Sequence, residues 1–276
     1  MVIDGNAIAS GIIARLKKLP KPAKFFGAVL VGDDPASVNF LKQKEKVAHE
    51  LGLEFRLYPL PVGATTDELR AEIGRLAGPK TCGGFIVQLP LPEKVNRHYV
   101  LNAIPKDKDV DCLSEAGLGA FYTGRSAIVP PATATVMEIL KLEKRDLRGL
   151  KVAMVGAGFL IGKPVGFWLQ DKVAELVVLD AKVKDLPAEI ADADIVISGV
   201  GQPGLFSAKQ LKEGAIVIDF GFSRAGDGPK GKIVGDFEPT GADEKRIDYT
   251  KTPGGTGPVL VAKLFENFYM LNQSIK

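Results

Sequence analysis

A lysine at the centre of an apolar helix face is the first feature of this sequence that could do chemistry. In the segment FLKQKEKVAHEL, a helical wheel of about 100° per residue gathers Phe40, Val47, Ala48 and Leu51 on one side. Lys44 falls in the middle of that stripe. A lysine among apolar groups tends toward a lowered pKa, which suits proton transfer at neutral pH. The alternative is that Lys44 reaches solvent from the edge of a core and contributes only packing.

A glycine turn between a predicted strand and a predicted helix indicates a dinucleotide site. The sequence KVAMVGAGFLIGKPVGFWL carries Gly156, Gly158 and Gly162, a pattern one residue longer than the usual fingerprint. The first two glycines permit a tight turn and close approach of the backbone to a pyrophosphate, whose charge is favoured at a helix N-terminus. A tight turn without a ligand would have a similar sequence, so the pattern needs support from the next strand.

Asp180 supplies that support. The predicted strand ELVVLD ends in Asp180, 24 residues beyond Gly156, where dinucleotide-binding folds place the acid that hydrogen-bonds the adenosine ribose. A carboxylate there accepts hydrogen bonds from the hydroxyls of NAD and would repel the extra phosphate of NADP. Lys182 and Lys184 could partly offset its charge, and a chance surface aspartate is the alternative. The sequence favours NAD over NADP.

Strands and helices alternate through the first half of the chain. Apolar runs at 25–32, 54–60 and 83–90 predict buried strands, and helical patterns at 35–52 and 66–78 separate them. A β-α-β-α-β series implies a parallel sheet.

The second half repeats this architecture without repeating the sequence. An irregular stretch rich in turn formers precedes it, and the glycine-rich TPGGTGP follows its strands. The predicted elements are a helix at 134–147, strands at 151–156, 175–180, 193–199 and 215–221, and a closing helix at 258–273.

These patterns predict an α/β fold with two domains and a cleft between them. The first is an N-terminal α/β catalytic domain, residues 1–117, which binds the substrate and is closed by the C-terminal helix 258–276. The second, residues 118–257, is a Rossmann-like parallel-sheet NAD(P)-binding domain. A chain of 276 residues is long enough for two domains of ordinary size.

The composition argues against several classes of protein. The net charge is only +3 and no basic run is present, so we expect no nucleic-acid partner. No stretch approaches the roughly 18 consecutive apolar residues of a membrane span, and the start lacks the pattern of a signal peptide. Cys82 and Cys112 form neither a disulfide framework nor a zinc set, so we expect no metal and a reducing, cytoplasmic compartment.

Four segments taken together resemble the methylenetetrahydrofolate dehydrogenase/cyclohydrolase family. They are VGDDPASVNFLKQKEK, GGFIVQLPLPEKVN, KDKDVDC and TPGGTGPV, in this order. The likeness extends through VGAGFLIGKP, GAIVIDFGF and VGDFEP, so it covers nearly the whole chain, and VQLPLP and PGGTGP are its most specific elements. The resemblance implies oxidation of 5,10-methylenetetrahydrofolate to the methenyl form by hydride transfer to a nicotinamide. In many such enzymes, hydrolysis to 10-formyltetrahydrofolate follows at the same site.

The resemblance also implies roles for three polar residues. By position, Lys44 matches the family's catalytic lysine, Gln88 its partner glutamine, and Asp111 the aspartate that holds the pterin ring. Hydride loss needs mainly alignment of the substrate with the nicotinamide, whereas hydrolysis requires a group that accepts and donates protons. We therefore assign Lys44, oriented by Gln88, chiefly to hydrolysis. Gln88 could instead bond backbone groups at the end of its strand. Asp111 could be a turn former, and its assignment rests mostly on the resemblance.

Other residues are assigned to ligands. Pro253, Gly254 and Gly255 suggest backbone shaped closely around the substrate, with a plain turn as the alternative. The predicted cofactor-binding residues are Gly156, Ala157, Gly158, Asp180 and Phe222. The family resemblance further implies a homodimer built through the cofactor domain and a place in one-carbon metabolism and purine biosynthesis.

The chain departs from the family at four positions. Phe40 replaces a tyrosine that stacks on the folate, so the ring is kept and the hydroxyl is lost. Ala157 stands where the family commonly has an arginine, and it lacks the positive charge that would attract a ribose phosphate, which again favours NAD. Cys112 replaces a glycine next to Asp111 and could alter how that aspartate is presented. PPATAT replaces a P-C-T-P-x-G type sequence, so the family pattern does not define the conformation of the cleft wall here.

Three alternative interpretations stay open at this point. The chain could be a dehydrogenase with weak or lost cyclohydrolase activity, because Phe40 lacks the hydroxyl. It could be a different two-domain dehydrogenase, such as one resembling shikimate or amino-acid dehydrogenases. It could also be a non-catalytic NAD- or folate-binding module, which binding without turnover would reveal.

Overall fold

The structure is a computed structural model that describes residues 1–225 and 231–273. Strands and helices alternate in the part of the chain before residue 131. They are β1 (Val2–Ile3), α1 (Gly5–Leu16), β2 (Phe25–Val31), α2 (Pro35–Glu50), β3 (Phe55–Leu60), α3 (Thr66–Ala77), β4 (Cys82–Val87), α4 (Arg97–Leu101), a single 3₁₀ turn (Lys106–Lys108) and α5 (Glu115–Tyr122).

The remaining elements continue the alternation. They are α6 (Pro131–Leu142), β5 (Lys151–Val155), α7 (Gly162–Leu169), β6 (Glu175–Leu179), α8 (Leu186–Ile190), β7 (Ile195–Ser198), β8 (Phe206–Ser207), a 3₁₀ turn (Ala208–Gln210), β9 (Ile216–Asp219), β10 (Ser223–Ala225), β11 (Lys232–Val234), β12 (Phe237–Glu238), β13 (Asp248–Thr250) and α9 (Thr256–Asn272). Among the described residues, no helix combines the length and apolar character needed to cross a membrane.

The chain divides into two compact units. The catalytic unit consists of residues 10–131 and 261–276, and the nucleotide unit of residues 1–9 and 132–260. The predicted boundaries differ in three places, one of which is the start of the closing helix, where residues 258–260 belong to the nucleotide unit. Residues 118–131, predicted in the cofactor domain, pack in the catalytic unit, and the first nine residues belong to the nucleotide unit because β1 pairs with β13.

The catalytic unit contains a three-stranded parallel sheet in the order β3-β2-β4. The apolar run of β2 lies at the centre and is buried along its whole length, as a strand covered on both faces requires. Phe26 on β2 packs against Phe265 and Phe268 of α9, with ring centroids 5.1 and 5.4 Å apart. The predicted strand at 54–60 is present as β3, but the prediction that it is buried is wrong, because β3 lies at the sheet edge and each of its residues is partly or fully exposed.

The nucleotide unit contains a six-stranded sheet in the order β1-β13-β9-β7-β5-β6. Every pairing within it is parallel, which confirms the predicted parallel-sheet domain. The chain passes from β5 to β6 on one side and later to β7 on the other, so the strand order reverses at β5. In such sheets, ligands bind at the carboxyl ends of the strands beside this reversal.

A buried lysine fixes the loop that leads to Asp111. Lys108 Nζ donates to the carbonyl oxygens of Ala77, Gly78 and Pro79 at 2.6, 2.7 and 2.8 Å. Ala77 is the last residue of α3, and Gly78 and Pro79 directly follow it, at a helix end whose last carbonyls have no acceptor role within the helix. One ammonium group therefore joins the end of α3 to the loop.

Lys108→Met should lower the free energy of unfolding by about 2 kcal/mol, because acceptors at a helix end lose a charged donor. Urea unfolding of the purified protein measures the change. Lys106→Met is the matched control, since Lys106 lies exposed in the same 3₁₀ turn and its loss should cost less than about 0.5 kcal/mol. Equal effects of the two substitutions would show that the three carbonyl contacts do not stabilise the fold.

Candidate active site

Helix α2 presents Lys44 to the interior of the catalytic unit. Asp34 caps the helix by accepting a hydrogen bond from the Ser37 amide at 2.8 Å, and Pro35 occupies the first helical position. Leu41 and Ala48 are buried on the same face as Lys44, which is only 4% exposed. The predicted placement of an ammonium group within an apolar stripe is therefore what the structure shows.

Gln88 is the hydrogen-bond partner of Lys44. It directly follows β4, and its backbone amide donates to the Val29 carbonyl oxygen at 2.9 Å. Its side-chain amide donates through Nε2 to the Leu89 carbonyl at 2.7 Å, which turns Oε1 toward the lysine. Lys44 Nζ donates to that oxygen at 2.9 Å. The strand end and the local contact together orient one acceptor at the lysine.

Phe40 and Asp111 complete the surroundings of Lys44. The Lys44 Nζ atom lies 4.7 Å from the centroid of the Phe40 ring, one helical turn away, at cation–π distance. Burial lowers the pKa of Lys44 from its ordinary value of 10.5, and the charge of Asp111 acts in the opposite direction. Burial also raises the pKa of Asp111, while the Lys44 charge opposes that rise. The charge of each group therefore partly offsets the effect of burial on the pKa of the other.

The loop carrying Asp111 is held at both ends. Asp109 accepts hydrogen bonds from the amides of Leu113 and Ser114 at 3.2 and 2.8 Å, which closes the turn around Asp111. Asn267 on α9 donates to the Val110 carbonyl at 2.9 Å. Asp109 was not assigned a role from the sequence, where a loop acid gives no sign of whether it caps a turn or faces a ligand.

Cys112 has a backbone conformation that favours glycine. Its φ angle is +56°, in the left-handed region, although its side chain is buried. Burial raises the pKa of its thiol to about 12, so the group stays protonated and serves packing. This conformation gives a physical reason for the glycine that the resemblance places here.

Cys112→Gly should be more stable than Cys112→Ala by about 1 kcal/mol, because only glycine adopts the left-handed region without a steric cost. Both variants lose the thiol, so their difference isolates the backbone term. The same pair at Cys82, within β4, should rank in the opposite order, since glycine weakens a strand interior. Midpoints of denaturant unfolding measure all four variants, and an alanine variant at 112 as stable as the glycine one would contradict this account.

The glycine turn after β5 has the geometry of a dinucleotide site. Gly156 has a φ of +99°, and a Cβ atom there would lie 3.1 Å from both the Gly199 carbonyl oxygen and Val200 Cγ2. A Cβ atom at Gly158 would instead point into open space, with no atom within 4 Å. Gly162 begins α7 directly against the Gly156 carbonyl, where a Cβ atom would collide with it. The turn is thus tight on its inner side and open at Gly158, where a pyrophosphate would approach.

The other predicted cofactor residues lie within this turn or follow strands of the same sheet. Ala157 lies within the turn itself, and Asp180 directly follows β6, the neighbour of β5. Asp180 is exposed, and its Oδ1 accepts a hydrogen bond from the Lys182 amide at 2.8 Å. Phe222 follows β9 and is 53% exposed, so its ring is available for a ligand.

The loop containing Pro253, Gly254 and Gly255 belongs to the nucleotide unit. Gly254 has a φ of +96°, and Gly255 packs so closely on the backbone of Lys251 that a Cβ atom would not fit. Thr256 anchors the end of the loop by donating to the Asp219 carbonyl at 2.9 Å. These glycines have steric reasons for their presence within the fold itself.

The structure thus brings Lys44, Gln88, Asp111 and Phe40 together in the catalytic unit. The glycine turn and Asp180 adjoin one another in the nucleotide unit, at the carboxyl ends of β5 and β6. The first group can move protons between an amine, a carboxylate and a bound substrate. The second can hold the phosphates and ribose of a dinucleotide.

Comparison with known proteins gives this combination a family. Residues 3–111 match the model described as "Tetrahydrofolate dehydrogenase/cyclohydrolase, catalytic domain". Residues 130–275 match the model for the NAD(P)-binding domain of the same family. The two matches span most of the chain and confirm the resemblance.

Individual relatives agree over almost their full length. "Bifunctional protein FolD 2" of Geobacter metallireducens is 36% identical over 272 residues, which cover 96% of this chain and 94% of that one. The crystal structure of FolD from Campylobacter jejuni has a TM-score of 0.90 at 32% identity, and covers 99% of this chain and 98% of that one. FolD from Trypanosoma brucei, solved with NADP and an inhibitor, has a TM-score of 0.91 at 31% identity, with 99% and 97% covered. The chain belongs to the tetrahydrofolate dehydrogenase/cyclohydrolase family, and the interpretation as a shikimate-type or amino-acid dehydrogenase is therefore wrong.

Proposed function

We propose that this member of the family oxidises 5,10-methylenetetrahydrofolate with NAD in preference to NADP, and that Lys44 serves the hydrolysis of the methenyl product to 10-formyltetrahydrofolate. The observation that carries the role of Lys44 is its buried hydrogen bond of 2.9 Å to Gln88, with Asp111 beside it. A buried amine with a lowered pKa is suited to proton transfer near neutral pH.

The dehydrogenase reaction requires little acid–base catalysis from the protein. When bound, the nicotinamide accepts a hydride from the methylene carbon, and the adjacent folate nitrogens stabilise the resulting cation. The chain has to bind and align the two molecules. The open face at Gly158 and the exposed ring of Phe222 fit a dinucleotide, because both leave room for a ligand.

The hydrolysis reaction requires three proton movements. Water adds to the cationic methenyl carbon and loses a proton. The bond from that carbon to N5 then breaks as N5 gains a proton, and the hydroxyl group left on the carbon loses its proton to solvent as the formyl C=O forms. Neutral Lys44 accepts the proton from the attacking water and, as the ammonium, returns it to N5. Gln88 keeps the amine in place through its oriented Oε1 atom. One proton is released overall as the cation becomes a neutral formyl compound.

We assign several further residues to binding of the substrate. We assign Asp111 to the pterin ring, which offers several N–H donors to a carboxylate, and Phe40 to stacking on a planar ring of the folate. We assign Pro253, Gly254 and Gly255 to the substrate as well, through backbone shaped by the φ of Gly254.

Two residues support the choice of NAD. Asp180 places an exposed carboxylate after β6, where the adenosine ribose lies in dinucleotide-binding sheets. Ala157 in the turn provides no cation for a ribose phosphate. The relative from Trypanosoma brucei was solved with NADP, so membership of the family does not by itself decide between the two cofactors.

The first test is steady-state kinetics of the purified protein with 5,10-methylenetetrahydrofolate and either NAD⁺ or NADP⁺, with reduced cofactor and methenyl product followed separately. We expect a higher kcat/KM with NAD⁺ and no accumulation of the methenyl compound. Faster turnover with NADP⁺ would overturn the cofactor proposal. Dinucleotide binding without turnover would favour the non-catalytic module.

A second candidate function is a dehydrogenase with weakened hydrolysis, because Phe40 has no hydroxyl beside Lys44. Phe40→Tyr should raise the cyclohydrolase rate several-fold and leave the dehydrogenase rate within about twofold. Phe40→Leu is the comparison, since it removes the ring and should weaken substrate binding in both reactions. Separate assays of the two activities on one preparation measure this. An unchanged hydrolysis rate in Phe40→Tyr would show that water already supplies the function of the missing hydroxyl.

The cytoplasmic location, the homodimer through the cofactor domain and the supply of purine biosynthesis remain predictions. Size-exclusion chromatography with light scattering tests the dimer directly. An intracellular location agrees with the free thiols of Cys82 and Cys112, which are both buried.

A further inference from the structure

Two motifs of the nucleotide unit carry acids to which no ligand has been assigned. Asp219 ends β9 within GAIVIDFGF, and Asp236 precedes β12 within VGDFEP. Both side chains are buried, at 2% and 0% exposure. A buried carboxylate is costly unless hydrogen bonds compensate for lost water, so each must have a definite set of donors.

The donors to Asp236 come from one loop. Its Oδ2 atom accepts from the Ser198 hydroxyl at 2.5 Å and from the Val200 amide at 2.8 Å. Its Oδ1 atom accepts from the amides of Gly201 and Gln202 at 2.9 and 2.8 Å. Three successive backbone amides and the last side chain of β7 therefore converge on a single carboxylate.

This loop lies beside the glycine turn. Strand β7 pairs with β5, on the side opposite β6, so the ends of β5 and β7 flank the reversal of strand order. The two segments are in contact, since a Cβ atom at Gly156 would lie 3.1 Å from the Gly199 carbonyl oxygen and from Val200 Cγ2. Residues 199–202 thus form one side of the crevice in which such sheets bind dinucleotides.

Asp219 in turn holds the backbone next to Asp236. Its Oδ2 atom accepts from the Phe237 amide at 3.1 Å, and its Oδ1 atom from the Gly221 amide at 2.6 Å. Gly235 packs on the Asp219 carboxylate and Gly221 on that of Asp236, in both cases too closely for a Cβ atom. Burial raises the pKa of Asp219 to about 7, in keeping with a network closed to water. The two acids form one packed unit behind the loop.

We infer that Asp236 is a positioning residue for the dinucleotide: by holding the amides of residues 200–202 in one conformation, it shapes the crevice side opposite the glycine turn. The inference rests on dinucleotide binding by this family, and not on a preference for NAD. A purely structural role is the competing explanation, and it predicts that stability and both activities decline together.

The two activities of the family separate these explanations, because hydrolysis of the methenyl compound uses no nicotinamide. In Asp236→Asn, one carboxylate oxygen becomes an NH₂ group that cannot accept from the loop amides. We expect the Kd for NADH or NADPH, whichever the unaltered protein binds more tightly, to rise at least tenfold by fluorescence titration. The cyclohydrolase rate, assayed without dinucleotide, should stay within about twofold.

Asp194→Asn is the matched control. Its Oδ2 atom accepts from the Lys151 amide at 2.8 Å, and its Oδ1 atom lies 2.6 Å from Lys212 Nζ, just before the opposite end of β7. This substitution should lower stability while leaving the Kd within about twofold. If Asp236→Asn does not fold, Ser198→Ala removes only one donor to Asp236 and should still raise the Kd several-fold. An unchanged Kd in the folded variant, or equal losses of both activities, would overturn the inference, whereas absence of dinucleotide binding by the unaltered protein would refute the proposed function itself.

Discussion

Lys44→Met should reduce the hydrolysis of methenyltetrahydrofolate by about 10²–10⁴-fold, the usual contribution of a positioned proton-transfer group. Methionine fills much of the same apolar space but neither accepts nor donates the proton that the water and N5 exchange. The dehydrogenase rate should fall far less, since hydride transfer depends on alignment. As a result, the methenyl compound should accumulate when the variant oxidises 5,10-methylenetetrahydrofolate, and absorbance spectroscopy follows it directly.

Lys46→Met provides the control on the same helix. Lys46 is exposed and points away from the buried face that carries Lys44. Its replacement should leave both rates within about twofold of the unaltered protein. A Lys44→Met variant in which the two rates fall in parallel would show that Lys44 serves substrate binding or packing. An active cyclohydrolase without Lys44 would remove the lysine from the mechanism altogether.

Asp180→Asn should shift the cofactor preference by about 10–100-fold toward NADP⁺, expressed as the ratio of kcat/KM values. The range corresponds to the 1.5–3 kcal/mol of a hydrogen bond to a charged group, at about 1.4 kcal/mol per tenfold. Asparagine keeps an Oδ1 acceptor for the Lys182 amide, so the turn after β6 is preserved. It loses the negative charge that would repel a ribose phosphate.

The control for this substitution is Asp171→Asn. Asp171 is exposed and lies before β6, at the opposite end of that strand from Asp180. Its loss removes the same charge from the surface without touching the predicted ribose position. A similar shift of cofactor preference in both variants would indicate an effect of the protein's overall electrostatic field and not of a contact with the ribose.

The sequence was informative where a pattern extended over several residues. The apolar runs of β2, β4, β5, β7 and β9 were long enough to predict parallel sheets, and the wheel of α2 placed Lys44 in an apolar face before its partner was known. The short pairing of β1 with β13 was missed, because two paired residues carry no periodicity. Likewise, β3 has the composition of a strand, but its place at the sheet edge depends on which strands pair.

Acids in loops were the least predictable part of the site. Asp109 closes a turn, Asp111 lies beside Lys44, and Asp236 accepts hydrogen bonds from three backbone amides. In the sequence, however, all three acids occur next to strand ends or turn formers. What distinguishes them is the set of groups that faces each carboxylate, and those groups come from distant segments. Only the folded arrangement shows whether a loop acid supports the backbone or is available to a ligand.

The most direct test of the role given to Lys44 is a measurement of its pKa by NMR. Protein labelled with ¹³C at the lysine Cε positions would be titrated, and the Lys44 signal assigned by its loss in Lys44→Met. We predict a titration below the ordinary value of 10.5, because burial outweighs the charge of Asp111. Since the neutral amine accepts the proton from water, the cyclohydrolase rate should rise with pH through the same midpoint. A Lys44 that titrates at its ordinary value, with a cyclohydrolase rate independent of that titration, would contradict the mechanism.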